Sequence, residues 1–179
     1  MLLEKTDRLG GECTWTGCIP SKALIKVAEV AHHIRTLDQY GLRIQSPQID
    51  TSRVMEQVRS VIRDDYRSHN PDVIRSIGID LCFGDTTFID RHHVRCGEKT
   101  ISFNKAIITT GSHPFVPPLE GIELVDYLTN ENLFTLDALP KSLIILGGGA
   151  IGSEMASALN RLSVSVTIVE MNDRILPKE

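Results

Sequence analysis

No run of apolar residues in this 179-residue chain approaches the roughly 18 needed to cross a bilayer as a helix. The first residues, MLLEKTDR, turn charged at once, so neither a signal peptide nor a membrane segment is predicted and a cytoplasmic setting is the expectation. No block of like charge occurs either. The 19 Lys and Arg stand against 23 Asp and Glu, for a net charge of -4, which excludes the basic footprint of a nucleic-acid binder. Four cysteines are too few for a disulfide scaffold, and any pair that does bond is expected to be a redox pair. Low-complexity tracts and tandem repeats are also missing. What remains, 41% hydrophobic and 23% charged, is the composition of a soluble globular chain close to one domain in length.

The order of element types then becomes informative. Met1 to Glu4 is a short apolar strand ending on an acid, followed by a loop with Gly10 and Gly11. Leu24, Val27, Val30, Ala31 and Ile34 recur at helical steps and predict a helix from Pro20 to about Asp38, with Gly41 as its stop. A second helix fits Arg53 to about His69, ended by Asn70-Pro71. After Gly78 the pattern changes to strands at 79–83, 86–89, 93–95 and 100–103, a small antiparallel meander with a hairpin turn at Cys96-Gly97-Glu98-Lys99. In this pattern Cys82 reads as a core thiol and Cys96 as an exposed turn thiol without a partner, while His69, His92 and His93 read as surface residues. Lys105 to Thr110 has the character of a buried strand, and the prolines at 114, 117 and 118 mark a linker.

Beyond that linker come a strand at 143–146, the run GGGAIG, a helix to Leu162 and a strand at 164–169. Gly147, Gly149 and Gly152 form G-x-G-x-x-G between a strand and a helix, the context in which this spacing has a mechanism. The first glycine permits the tight turn, the second lets a pyrophosphate approach the backbone, and the third allows close strand–helix packing. The helix N-terminus then presents unpaired N–H groups to the phosphates. Glu170 follows at the end of the second strand, where a carboxylate accepts ribose hydroxyls; it favours NAD over NADP, moderated by nearby Arg161 and Arg174.

Cys13 and Cys18 are separated by Thr-Trp-Thr-Gly. Fully extended, that step would span about 17 Å, whereas a disulfide needs Cα atoms at roughly 4.4–6.8 Å, so the loop must fold back and Gly17 eases the turn. Cys18 then precedes a helix whose dipole favours a thiolate at its start. Two free buried thiols and a zinc site are the competing readings. Zinc would need two further ligands at suitable spacing, and no metal site is expected.

LGGECTWTGCIPSKAL, KAIITTGSHP, LIILGGGAIGSEMA and IVEMNDRILP, in this order, resemble the pyridine nucleotide-disulfide oxidoreductases, with the Thr-Trp-Thr segment nearest to mercuric-reductase-like members. The resemblance implies an α/β fold made of parts of two doubly wound, Rossmann-like domains. A partial FAD-binding domain would cover 1–115 with the meander as its insert, a linker 116–141, and the start of an NAD-binding domain 142–179. It implies an FAD-dependent, NAD(P)H-linked oxidoreductase acting on a small-molecule disulfide or a soft metal. Family members are homodimers.

Residue by residue, the resemblance makes Cys18 the flavin-proximal thiol and Cys13 the interchange thiol, and it sets Lys22 beside the flavin ring with Glu154 as its partner. Glu4 matches the acid on the flavin adenosine ribose. Gly10, Gly11, Thr86 and Thr110-Gly111-Ser112 match further flavin-contacting positions, Thr86 standing where a small Ala or Gly is usual and Thr109 where Ala is usual. Gly147, Gly149, Gly152 and Glu170 match the nicotinamide-nucleotide site. The first strand with its own glycine fingerprint, the rest of the NAD domain, and the C-terminal interface domain with its His-Glu acid–base pair find no counterpart. The expectation is therefore a fragment with little or no activity alone, and a non-catalytic nucleotide-binding remnant is the alternative.

Overall fold

The computed structural model describes residues 1–45 and 47–177. Strand β1, Leu2–Glu4, leads through the glycine loop into the short helix α1, Gly11–Trp15, and directly into the 18-residue helix α2, Cys18–Arg35. Helix α2 starts two residues before the expected Pro20, since proline is tolerated anywhere in a first turn whose N–H groups have no intrahelical acceptor. Its Leu24, Ala28 and Ala31, spaced by four and three, form the buried stripe.

Helix α3, Thr51–Arg67, is capped by Asp50, whose carboxylate accepts the N–H groups of Ser52 at 3.2 Å and Arg53 at 3.1 Å. It buries Val54, Met55, Val58 and Ile62. The Asn70-Pro71 pair ends this helix as expected and also begins a helix not foreseen from the sequence, α4, Pro71–Ser76. Asn70 caps it through Asp72 and Val73, and Pro71 sits where no N–H is needed, so one dipeptide is both stop and start.

After α4 the chain enters β2, Leu81–Phe83, parallel to β1 with Leu3 opposite Cys82. Strands β3 (Thr86–Phe88), β4 (His93–Cys96) and β5 (Lys99–Ser102) form the antiparallel meander in that order. Cys96 pairs with Lys99, so the hairpin turn consists of Gly97 and Glu98, with Gly97 at φ +58°. The run 105–110 departs from expectation. It forms no strand, and Ile107 and Ile108 are 90% and 68% exposed. An apolar run becomes a strand only where a neighbouring strand offers its N–H and C=O groups, and β1 is hydrogen-bonded to β2 alone.

The segment read as a linker carries helix α5, Asn130–Leu133, and places Phe134 and Leu139 in the core. Strand β6, Ser142–Leu146, helix α6, Ala150–Arg161, and strand β7, Ser165–Val169, complete a β-α-β unit whose two strands are parallel and in register from Ser142 opposite Ser165. The chain is thus a mixed α/β structure with two parallel strand pairs and a three-stranded antiparallel sheet.

One apolar core ties the ends of the chain together. Leu24 and Ala28 of α2 meet Met55, Val58 and Ile62 of α3 on one side and Met155, Ala158 and Leu159 of α6 on the other. Burying residues such as Leu24 and Leu159 stabilises the fold by roughly 1.5–3 kcal/mol each. Arg35, at the end of α2, donates to the Arg161 carbonyl closing α6 and, at 2.8 Å, to the Ser163 hydroxyl.

Candidate functional site

The cysteine loop folds back through Gly17, where a Cβ would lie 3.0 Å from the Glu12 carbonyl oxygen and 3.6 Å from the Cys13 Cα. That return puts Cys13, in α1, against Cys18, the first residue of α2. Both are free and exposed thiols. The neighbouring Cys18 side chain, assisted by desolvation, pushes the Cys13 thiol above its ordinary value. The arrangement is a pair of neighbouring thiols at the head of a long helix.

The residues around the pair pin α1 to α3. Thr14, 4% exposed, bonds through its hydroxyl to Asp65 Oδ2 at 3.2 Å and His69 Nε2 at 3.1 Å. Trp15 Nε1 donates to the Leu9 carbonyl at 2.8 Å, its ring lies 5.0 Å from that of Tyr66, and the Arg8 guanidinium sits 4.2 Å above it. Gly10, at φ +107°, has no alternative. A Cβ there would stand 2.6 Å from the Thr14 hydroxyl and 3.2 Å from His69 Nε2. His69, expected at the surface, is therefore part of the support of the cysteine loop. It was illegible because its partner Thr14 lies 55 residues away in sequence.

Gly11, beside it, has open space around its Cα. Glu12 is a second residue missed by sequence reading. Its Oε1 accepts the Ser112 N–H at 2.6 Å and lies 3.3 Å from the Ser112 hydroxyl, which brings Thr110-Gly111-Ser112 to the cysteine loop. Glu4, at the end of β1, uses one carboxylate oxygen for the N–H and hydroxyl of Thr6 at 3.0 and 3.2 Å, and its carbonyl accepts the Gly84 N–H at 2.9 Å. Thr86 is exposed two residues beyond Gly84, with its hydroxyl 3.3 Å from the Gly84 carbonyl.

Lys22 and Glu154 are both exposed, and no ion pair joins them among the described residues. Although α2 and α6 pack together, Lys22 lines a groove of about 340 Å³ on the α3 side, with Ile19, Lys26 and Val61.

At the other end, Gly147 takes φ +103° between β6 and the head of α6. A Cβ on Gly152 would collide with the Gly147 carbonyl oxygen, whereas nothing lies within 4 Å of one on Gly149. The third glycine thus serves close packing and the second leaves open space. Glu170, just past β7, accepts the Gly148 N–H at 2.6 Å with Oε2; Oε1 takes the N–H groups of Met171 and Asn172 at 2.8 and 2.9 Å. These backbone donors, first that of Asn172 and then that of Gly148, lower its pKa to about 2. The carboxylate is fixed in its charged form at the mouth of the glycine turn.

Comparison with known proteins agrees with this geometry. The family model described as pyridine nucleotide-disulphide oxidoreductase matches residues 1–179. Dihydrolipoyl dehydrogenase of Chlamydia pneumoniae is 35% identical over 97% of this chain and 38% of its own length. Mercuric reductase of Lysinibacillus sphaericus is 29% identical over 94% of this chain and 31% of its own. The structure of the HOCl-induced flavoprotein disulfide reductase RclA from Escherichia coli superposes with a TM-score of 0.81 at 30% identity, over 99% of this chain and 38% of that one. The chain therefore spans about a third to two fifths of the length of these relatives. With residues 1–179 matched by the family model, this chain belongs to the pyridine nucleotide-disulphide oxidoreductase family.

Proposed function

We propose that this chain carries the dithiol and the nicotinamide-nucleotide turn of an FAD-dependent, NAD(P)H-linked reductase of small disulfides or soft metal ions. The observation that carries the reading is the fold-back at Gly17, which sets the exposed Cys13 of α1 beside the exposed Cys18 at the start of α2. Two thiols already side by side need no rearrangement of the fold to interconvert with a disulfide. The names of the relatives, dihydrolipoyl dehydrogenase and mercuric reductase, supply the two substrate classes.

The chemistry of the residues fits the cofactors. For FAD, the residues that would hold it are Glu4 on the adenosine ribose, Gly10, Gly11 and Thr86 nearby, and Lys22 with Thr110-Gly111-Ser112 at the ring. Open space at Gly11 and the second oxygen of Glu4, which accepts no hydrogen bond among the described residues, favour this fit. For NAD(P)H, Gly147, Gly149 and Gly152 would take the pyrophosphate at the head of α6, and Glu170 the ribose hydroxyls, with NAD favoured because a 2′-phosphate would meet its charge. FAD, when bound, supplies the two-electron relay between nicotinamide and disulfide.

The steps of the chain's own residues are those of thiol–disulfide exchange. The Cys13 sulfur attacks one sulfur of a substrate disulfide, the S–S bond breaks, and the first substrate thiol leaves. Cys18 then attacks the Cys13 sulfur of the mixed disulfide and releases the second thiol. Two electrons and two protons pass from the dithiol to substrate, and Cys13 and Cys18 are left oxidised. Thr14, Asp65 and His69 hold the loop in position for both attacks.

The test is the visible spectrum of the purified chain. A flavin band near about 450 nm is expected, together with a thiolate-to-flavin charge-transfer band on partial reduction that Cys18→Ser abolishes. Absence of flavin overturns the FAD reading for this chain. The alternative, a nucleotide-binding unit without catalysis, draws on the β6-α6-β7 unit with Glu170 and on the exposure of Ile107 and Ile108. NAD binding without flavin would establish that alternative.

A further inference from the structure

Cys96 is not the exposed, unpartnered turn thiol that the sequence suggests. It is 1% exposed, and Cys82, in β2 of the parallel pair, is 7% exposed. The Cys82 sulfur lies 3.6 Å from the Cys96 carbonyl oxygen, and the Cys96 sulfur lies 3.7 Å from the Gly84 carbonyl oxygen. The nearness of Cys96, with burial, pushes the Cys82 thiol up.

Two glycines make the approach. Gly84, at φ +138°, leaves β2, and Gly97, at φ +58°, turns after β4; a Cβ on Gly84 would already stand 3.2 Å from the Gly97 nitrogen. The hydrogen atom at Gly84 lets the corner after β2 lie against the turn after β4, and each sulfur comes to rest near a carbonyl across that junction.

We propose that Cys82 and Cys96 are a second redox pair, separate from Cys13 and Cys18, which a peroxide oxidises to an intrachain disulfide stapling β2 to β4. One sulfur, as thiolate, attacks an oxygen of hydrogen peroxide, the O–O bond breaks, and a sulfenic acid forms with loss of one water. The other thiol attacks the sulfenic sulfur, the S–O bond breaks, and a second water leaves. In sum, two thiols and one hydrogen peroxide become one disulfide and two waters. The pair sits in a hairpin whose last ladder step, Cys96 to Lys99, has only two residues beyond it, so fraying of that turn admits a small uncharged oxidant. Closure fixes the Gly84–Asp85 corner, to which the carbonyl of Glu4 and the N–H of Gly97 are bonded.

The whole reduced chain treated with hydrogen peroxide, alkylated and digested with trypsin tests this. A peptide joining residues 76–91 to 96–99 is expected, separate from the peptide 9–22 that contains both Cys13 and Cys18. The oxidised chain should melt about 5–10 °C higher than the reduced chain. In Cys82→Ala, both the linked peptide and the shift should vanish. Full alkylation of Cys82 and Cys96 after peroxide treatment, sulfinic acid at either one, or a link from either to Cys13 or Cys18 would overturn the proposal. The peptide map of the unsubstituted chain decides even where the variant fails to fold, and it does so whether or not the chain binds flavin.

Discussion

The carboxylate of Glu12 accepts the backbone N–H of Ser112 at 2.6 Å, a bond spanning 100 residues. With the Ser112 hydroxyl, 3.3 Å from the same oxygen, it ties the cysteine loop to the Thr110–Ser112 turn, two segments that the proposed flavin site needs side by side. Replacing Glu12 with Ala should release the turn while costing only about 1 kcal/mol, because the bond is exposed. Amide hydrogen exchange should quicken at residues 110–113 and remain unchanged in α2. Equal protection of that turn in the variant would contradict the tether.

The neighbouring Cys18 side chain is the first cause of the raised Cys13 thiol. Removing it with Cys18→Ala should move the midpoint of the Cys13 alkylation profile to lower pH, making the reaction several-fold faster at neutral pH. Iodoacetamide rates across a pH series measure this. A midpoint that stays in place would mean that the contact has no hold on the proton.

The glycine turn predicts opposite outcomes at two of its positions. Gly152→Ala drives a methyl group into the Gly147 carbonyl and should cost about 3 kcal/mol, at the upper end for overpacking. Gly149→Ala meets nothing within 4 Å and should leave thermal stability nearly unchanged. Its effect should instead fall on NAD affinity, read by calorimetry, since the methyl group occupies the open space assigned to the pyrophosphate.

Glu170 ties stability to pH. Its folded-state value of about 2 lies below the ordinary carboxylate value of 4.5, so its contribution is present above 4.5 and is lost as pH falls from there through about 2. The melting temperature of the unsubstituted chain should fall across that window more steeply than that of Glu170→Gln, and the two curves should converge at its acid end. Parallel curves would show that the carboxylate is not held as described.

Thr14 anchors the cysteine loop to α3. Thr14→Val keeps the shape but leaves Asp65 and His69 without their hydroxyl partner, at a cost of about 1–3 kcal/mol. Urea denaturation measures the loss; Thr14→Ser, which keeps the hydroxyl, should recover most of it.

Local patterns were legible. The helical spacing of Leu24 and Ala31, the Asn70-Pro71 break, the hairpin at Gly97 and the strand–turn–helix around Gly147 each depend on residues within one or two turns of each other, and each stands close to its expected place. Partnerships were not. The role of Thr14, Asp65 and His69, the tether of Glu12 and the contact of Cys82 with Cys96 join segments whose separation in sequence gives no spacing to recognise. The apolar run at 105–110 erred in the other direction, since composition alone does not provide the neighbouring strand that a β-strand requires.

By itself, then, the sequence determined the family, the order of the elements and the residue types at the thiol pair and the glycine turn, because close-range sterics and backbone hydrogen bonding write those into adjacent residues. Only the tertiary structure decided which side chains meet: that α2 lies between α3 and α6 in one core, that Lys22 faces α3 without a bond to Glu154, and that Cys82 lies against the backbone of Cys96. Those outcomes are set by packing among elements distant in the chain, where burial and glycine-permitted approach select the neighbours.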